Sequence, residues 1–119
     1  MGATGSQYGG GRNDTVGRAG ARRGVFRNIT GIAADASGGV VVCEWPANVI
    51  RRIRPDGIIE TIAGTGENGY SGDGGLAVNA AINWPVTPRF DGKGNLHFGD
   101  VLNRRIRRID TNGVRWVSP

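Results

Sequence analysis

Cysteine, histidine and lysine each occur once in the 119 residues, as Cys43, His97 and Lys93. A single cysteine cannot form an intramolecular disulfide, and one cysteine with one histidine cannot supply a structural zinc site. With no lysine beside its glycine-rich stretch, the chain has no phosphate-cradling P-loop. Long apolar runs are missing too. Nothing approaches the roughly 20 residues needed to cross a bilayer as a helix, nor the apolar core of a signal peptide. A membrane is therefore not an expected partner, and the compartment is left open.

Glycine and arginine are plentiful. Of the 22 glycines, eight fall in residues 1–24, a stretch whose only larger apolar side chains past Met1 are Tyr8 and Val16. Such a composition buries too little surface to offset the entropy of ordering, so residues 1–24 are expected to form a disordered Gly/Arg-rich tail. The formal net charge is +5, which invites a nucleic-acid reading until it is divided along the chain. Residues 1–28 carry Arg12, Arg18, Arg22, Arg23 and Arg27 against Asp14, a balance of +4, leaving +1 for the remainder. The basicity belongs to the tail, so nucleic acid is not an expected partner except weakly through the tail, and a solvated flexible tail is the favoured reading.

The remainder repeats itself. Residues 32–62 and 88–118 align without a gap at an offset of 56, with seven identities: Asp35/Asp91, Gly38/Gly94, Ile50/Ile106, Arg51/Arg107, Arg52/Arg108, Ile53/Ile109 and Gly57/Gly113. Val40/Leu96, Val42/Phe98 and Glu44/Asp100 keep their character. Self-similarity at a fixed spacing of tens of residues marks arrays whose units cannot bury their apolar faces alone. Gly, Pro, Asn and Asp punctuate short runs rich in Val and Ile, which predicts strands over 29–34, 40–44, 49–54 and 58–63, then 86–90, 95–99, 105–109 and 114–117. Asp56-Gly57 and Asn112-Gly113 are tight-hairpin dipeptides. Four antiparallel strands per repeat make a propeller blade.

The D-x-x-G turn, the duplicated Ile-Arg-Arg-Ile and the segment Gly64 to Pro85 (GTGENGYSGDGGLAVNAAINWP) together resemble the NHL-repeat β-propellers. The likeness is to the subgroup with a GTG…SGDGG inter-blade segment, and it covers about residues 29–117. Two departures stand out: Pro88 and Arg89 occupy strand positions that the family fills with apolar residues, and Ile29 replaces the blade-opening proline found at Pro85. The fold expected is all-β, two four-stranded antiparallel blades of a β-propeller. Residues 25–64 form blade 1, 65–85 the inter-blade loop and 86–119 blade 2. Propellers close with roughly four to eight blades. The chain is therefore expected to be a fragment of a larger ring, or a unit of which three copies assemble into one.

Gly64, Gly66 and Gly69 match the dinucleotide fingerprint G-x-G-x-x-G, but the loop continues through Gly75 instead of opening a helix onto a pyrophosphate. No cofactor is expected. One helical turn over Leu76–Ala81 is. Asp73 is a single carboxylate against the six to eight oxygens that calcium takes, so no metal is assigned. Tyr70 and Asp73 on this loop, with Arg51 and Arg107, are the candidate ligand-binding residues. The arginines have a structural alternative: pairing with Glu44, Glu60, Asp100 or Asp110 on neighbouring strands. His97 is expected between blades, and Cys43 as a small buried hydrophobe.

Two functions follow. The first is a noncatalytic interaction module that binds protein or another ligand through its loops and blade faces. The second is part of a propeller lyase or hydrolase with site residues spread over further blades, for which His97 and Asp100 are the candidates here.

Overall fold

The computed structural model describes residues 26–111 and the backbone of 116–118. The tail at 1–24, the Asn112-Gly113 turn and the predicted start of the last strand at Val114 lie outside the described residues.

Eight strands form two sheets. The first contains β1 (Ile29–Ala34), β2 (Val40–Glu44), β3 (Val49–Ile53) and β4 (Ile59–Ala63), and the second β5 (Pro85–Phe90), β6 (Leu96–Asp100), β7 (Arg105–Asp110) and β8 (Trp116–Ser118). Each is an antiparallel meander in sequence order, the arrangement of a propeller blade. The Val/Ile-rich runs of β2 and β3 and the turns that flank them account for the pairing. β5, which contains Pro88, lies at a sheet edge, and its register slips between Val86 and Arg89. Proline has no N–H to give to a ladder, so an edge with a bulge is where it fits.

The predicted boundaries hold to within one or two residues over the described strands; the second sheet begins one residue earlier, at Pro85, and β6 is shifted by one, to Leu96–Asp100. Between the sheets, the predicted helical turn is a short 3-10 turn over Ala77–Asn79. A second such turn, at Val101–Asn103, was not foreseen.

The two blades share one core. Val41, Cys43, Ile50 and Ile62 of blade 1 meet Leu96, Phe98 and Ile109 of blade 2, with Ala77 and Ile82 of the connecting segment sealing the edge. β1 and β5 approach closely. A Cβ on Gly31 would stand 2.7 Å from Pro88 Cδ and 2.9 Å from the Thr87 nitrogen, and Thr30 Oγ1 donates to the Pro85 carbonyl at 2.6 Å.

Candidate functional site

The repeated D-x-x-G segment closes the β1–β2 and β5–β6 hairpins in the same way. The Asp35 N–H donates to the Gly39 carbonyl at 2.9 Å and the Asp91 N–H to the Asn95 carbonyl at 2.9 Å. Asp35 Oδ1 accepts the N–H groups of Ser37 at 3.0 Å and Gly39 at 2.7 Å. Asp91 Oδ1 accepts those of Lys93 at 2.8 Å and Asn95 at 3.0 Å. The second oxygens differ. Asp35 Oδ2 takes Arg52 Nε at 2.6 Å, whereas Asp91 Oδ2 takes His97 Nε2 at 3.0 Å and Asn95 Nδ2 at 3.1 Å. Partial burial pushes the Asp35 carboxyl up, but Arg52 and the turn donors outweigh it and hold it at about 2. The His97 hydrogen bond is the largest of the effects that keep Asp91 well below the usual carboxylate range.

These two turns border a cleft of about 400 Å³ between the blades. Val41 and Phe90 line it with apolar surface, and Asp35, Ser37, Arg52, Asp91 and Thr111 add polar groups. Of these, the sequence singled out the two aspartates only as turn residues. Their identity at offset 56 carried the further information that both stand at the same end of adjacent blades.

At the opposite strand ends, the Glu44/Asp100 and Arg51/Arg107 repeats form buried ion pairs. Glu44 Oε1 lies 3.0 Å from Arg51 Nε, and Asp100 Oδ2 3.0 Å from Arg107 Nη1. Each acid also grips the chain 17 residues upstream: Glu44 accepts the Arg27 N–H at 2.8 Å and Asp100 the Asn83 N–H at 2.7 Å. Both carboxylates are 0% exposed. The structural pairing weighed for the arginines is thus what the structure contains.

Arg107 is corrected as a surface group, being itself 0% exposed. Its Nη1 donates to the Ala81 carbonyl at 2.8 Å and its Nη2 to the Ser71 carbonyl at 2.7 Å and Asp73 Oδ1 at 3.0 Å. The loop expected to bind ligand is thereby fastened to blade 2. Tyr70 hydrogen-bonds Asp73 and lies under the guanidinium groups of Arg105 and Arg107, 4.4 and 4.7 Å from the ring centre. The hydrogen bond to Asp73 is the main reason the Tyr70 hydroxyl titrates above its ordinary value. Arg51 is half-buried beside a hollow of about 150 Å³ with Thr61 and Thr65.

His97 and Asp100 point to different surroundings, and the structure does not bring them together as one site. Asp100 is buried in the framework, while His97 is 41% exposed on blade 2. His97 is not part of the core that the two described blades share. Its counterpart Val41 sits in the inter-blade core, but His97 lies on the other face of blade 2. Cys43 is fully buried, and burial pushes its thiol up to about 12. Among the described residues, no group of three or more His, Cys, Asp or Glu is placed to hold a metal ion, and no helix is long and apolar enough to cross a membrane.

Solved structures place this architecture among the β-propellers. A Bacteroides thetaiotaomicron protein of unknown function superimposes over 82% of this chain with a TM-score of 0.66 and 21% identity. Virginiamycin B lyase from Staphylococcus aureus does so over 76% with a TM-score of 0.55 and 19% identity. This chain spans 23% and 26% of those proteins, respectively. At such identities the likeness is one of fold. No protein-family profile and no curated protein sequence matches the chain.

Proposed function

We propose that the chain is a noncatalytic interaction module of NHL-repeat type, two blades of a partial propeller that bind a partner through loops and blade faces. One observation carries this reading: the strongest candidates for chemistry are consumed by the framework. Asp100, Arg107 and Asp73 join strand, loop and inter-blade segment in one network around a buried guanidinium, which leaves them to hold the surface in shape. The inter-blade cleft and the outer face of blade 2 are what such a module offers to a partner.

A second reading rests on His97 and Asp91. They are 3.0 Å apart and 41% and 35% exposed, the geometry of an imidazole oriented by a carboxylate. One similar propeller is a lyase, which keeps elimination chemistry in view. Turnover of virginiamycin B and simple esters by the full chain, compared with His97→Ala, separates the two readings. The interaction module predicts no turnover that depends on His97, and a rate lost in the variant would replace it with the enzyme.

A further inference from the structure

Four pairs of Asp or Asn followed by Gly fall within the described residues: Asp56-Gly57, Asn68-Gly69, Asp73-Gly74 and Asp91-Gly92. Such a pair can close on itself, because glycine has no Cβ to shield its peptide nitrogen from the side-chain carbonyl that precedes it. Three of the four are tied down. Asp56 accepts the Ile58 N–H at 3.1 Å and Arg54 Nη2 at 2.7 Å, and the Gly57 N–H is spent on the Arg54 carbonyl at 2.8 Å. Asp73 is held by Arg107 at 3.0 Å and by the Tyr70 hydroxyl. Asp91 takes the Lys93 and Asn95 N–H groups, the Asn95 amide and His97. A carboxylate also carries a negative charge that repels a nucleophile.

Asn68-Gly69 differs on each count. It lies in the segment between β4 and β5, which joins two blades that are both described. Asn68 is exposed and uncharged. Among the described residues its amide makes no hydrogen bond, and the Gly69 N–H donates to no acceptor. The chain on either side is nevertheless anchored: the Thr65 N–H donates to the Ala80 carbonyl at 3.1 Å, and the Gly69 carbonyl accepts from Asn103 Nδ2 at 2.7 Å. Electrophile and nucleophile are therefore free and adjacent, in a loop whose ends are fixed.

We propose that Asn68 is a site of spontaneous deamidation, and that its isoaspartyl product loosens the inter-blade loop from blade 2. The Gly69 nitrogen attacks Asn68 Cγ. The N–Cγ bond forms, the Cγ–Nδ2 bond breaks, and Nδ2 leaves as ammonia with the proton from the Gly69 nitrogen. One water then opens the cyclic succinimide. Opening at Cγ gives an aspartyl residue, and opening at the backbone carbonyl gives an isoaspartyl residue whose chain runs through Cβ. The sum is one water consumed and one ammonia released, with no change of oxidation state and one negative charge gained. The isoaspartyl route adds about 1.5 Å of covalent path, one carbon–carbon bond, between the Thr65 and Gly69 anchors. That length moves the Gly69 carbonyl off Asn103, which also donates to Asp100 at 2.9 Å. Ser71 and Asp73, which hold Arg107, follow at once in the chain. The reaction needs neither partner nor substrate, so it stands apart from both functional readings.

Ageing the full chain in mildly alkaline buffer, with peptide mapping and isoaspartyl methyltransferase labelling, tests it. Asn68 should convert at close to the rate of a free peptide spanning residues 64–75, while Asp56, Asp73 and Asp91 stay aspartyl. Mapping keeps Asn112-Gly113, outside the described residues, apart from this signal. Asn68→Gln should lose the product at this position. The isoaspartyl fraction should unfold at lower urea than the fresh parent. Fresh Asn68→Asp carries the charge without the longer backbone and should keep the parent's midpoint. Asn68 that survives intact after the free peptide has converted, or isoaspartate that forms first at Asp56, Asp73 or Asp91, overturns the site. An isoaspartyl fraction with the parent's midpoint, or an equal loss in fresh Asn68→Asp, overturns its effect on the loop.

Discussion

Arg107 is 0% exposed, so its two terminal nitrogens depend on Asp100, Asp73 and two carbonyl groups. Removing one member of a buried pair strands the other charge, and Arg107→Ala is expected to cost about 3–5 kcal/mol. Arg51, identical by repeat, is 12% exposed in its side chain, so Arg51→Ala should cost clearly less. Urea unfolding of the two variants checks the order, and equal losses would contradict the wrapping of Arg107 by the inter-blade loop. Gly94 has φ +89, and no atom lies within 4 Å of where a Cβ would stand, so space is not its constraint. Gly94→Val forces a β-branched residue into the left-handed region and should destabilise by about 1–3 kcal/mol. Thermal melts of the variant and the parent check this, and equal midpoints would remove the turn geometry as a constraint. Cys43, buried with its thiol pushed up to about 12, should resist thiol reagents at neutral pH until the protein is denatured. Labelling in native buffer at the rate of a free thiol would contradict that burial.

The hairpin turns are where acid should act first. Asp35 titrates at about 2 in the fold against an ordinary 3.8, and Asp91 is depressed in the same direction. A depressed carboxylate stabilises the fold above its unfolded value, so this contribution is complete above about pH 4 and is lost as pH falls toward 2. Urea midpoints measured from pH 6 down to pH 2 should therefore decline. Asp35→Asn should start lower and decline less steeply, and parallel curves would remove Asp35 as a cause. These turns were readable in advance, because Asp, Gly and the Val/Ile runs around them fix where a chain reverses and where it pairs. What the turn aspartates hold was not readable. Asp35 and Asp91 are identical in the repeat, yet one holds Arg52 and the other His97, a choice made by the residue at position 41 or 97 on the adjoining strand.

Across the whole molecule, one apolar cluster crosses from blade 1 to blade 2, so the blades should unfold together. Tryptophan fluorescence is informed by the stacked Trp45 and Trp84, whose rings are 4.8 Å apart, and it should follow the same curve as far-ultraviolet circular dichroism. Ile50→Ala in blade 1 should lower amide protection at Phe98 and Ile109 in blade 2 as well. A change confined to blade 1 would mean that the shared core does not couple them.

The sequence by itself determined the all-β class, the two repeats and the strand positions, because alternation and turn chemistry act over a few residues. The pairing of Glu44 with Arg51 and of Asp100 with Arg107 was also within its reach, as an alternative set by strand adjacency. Only the tertiary structure decided which of the paired arginines is sealed and which face of blade 2 packs on blade 1. Those outcomes depend on the path of residues 64–84 over Arg107 and on what stands opposite each sheet. Burial and charge pairing are set by neighbours distant in the chain, and two identical Ile-Arg-Arg-Ile segments therefore meet different ones.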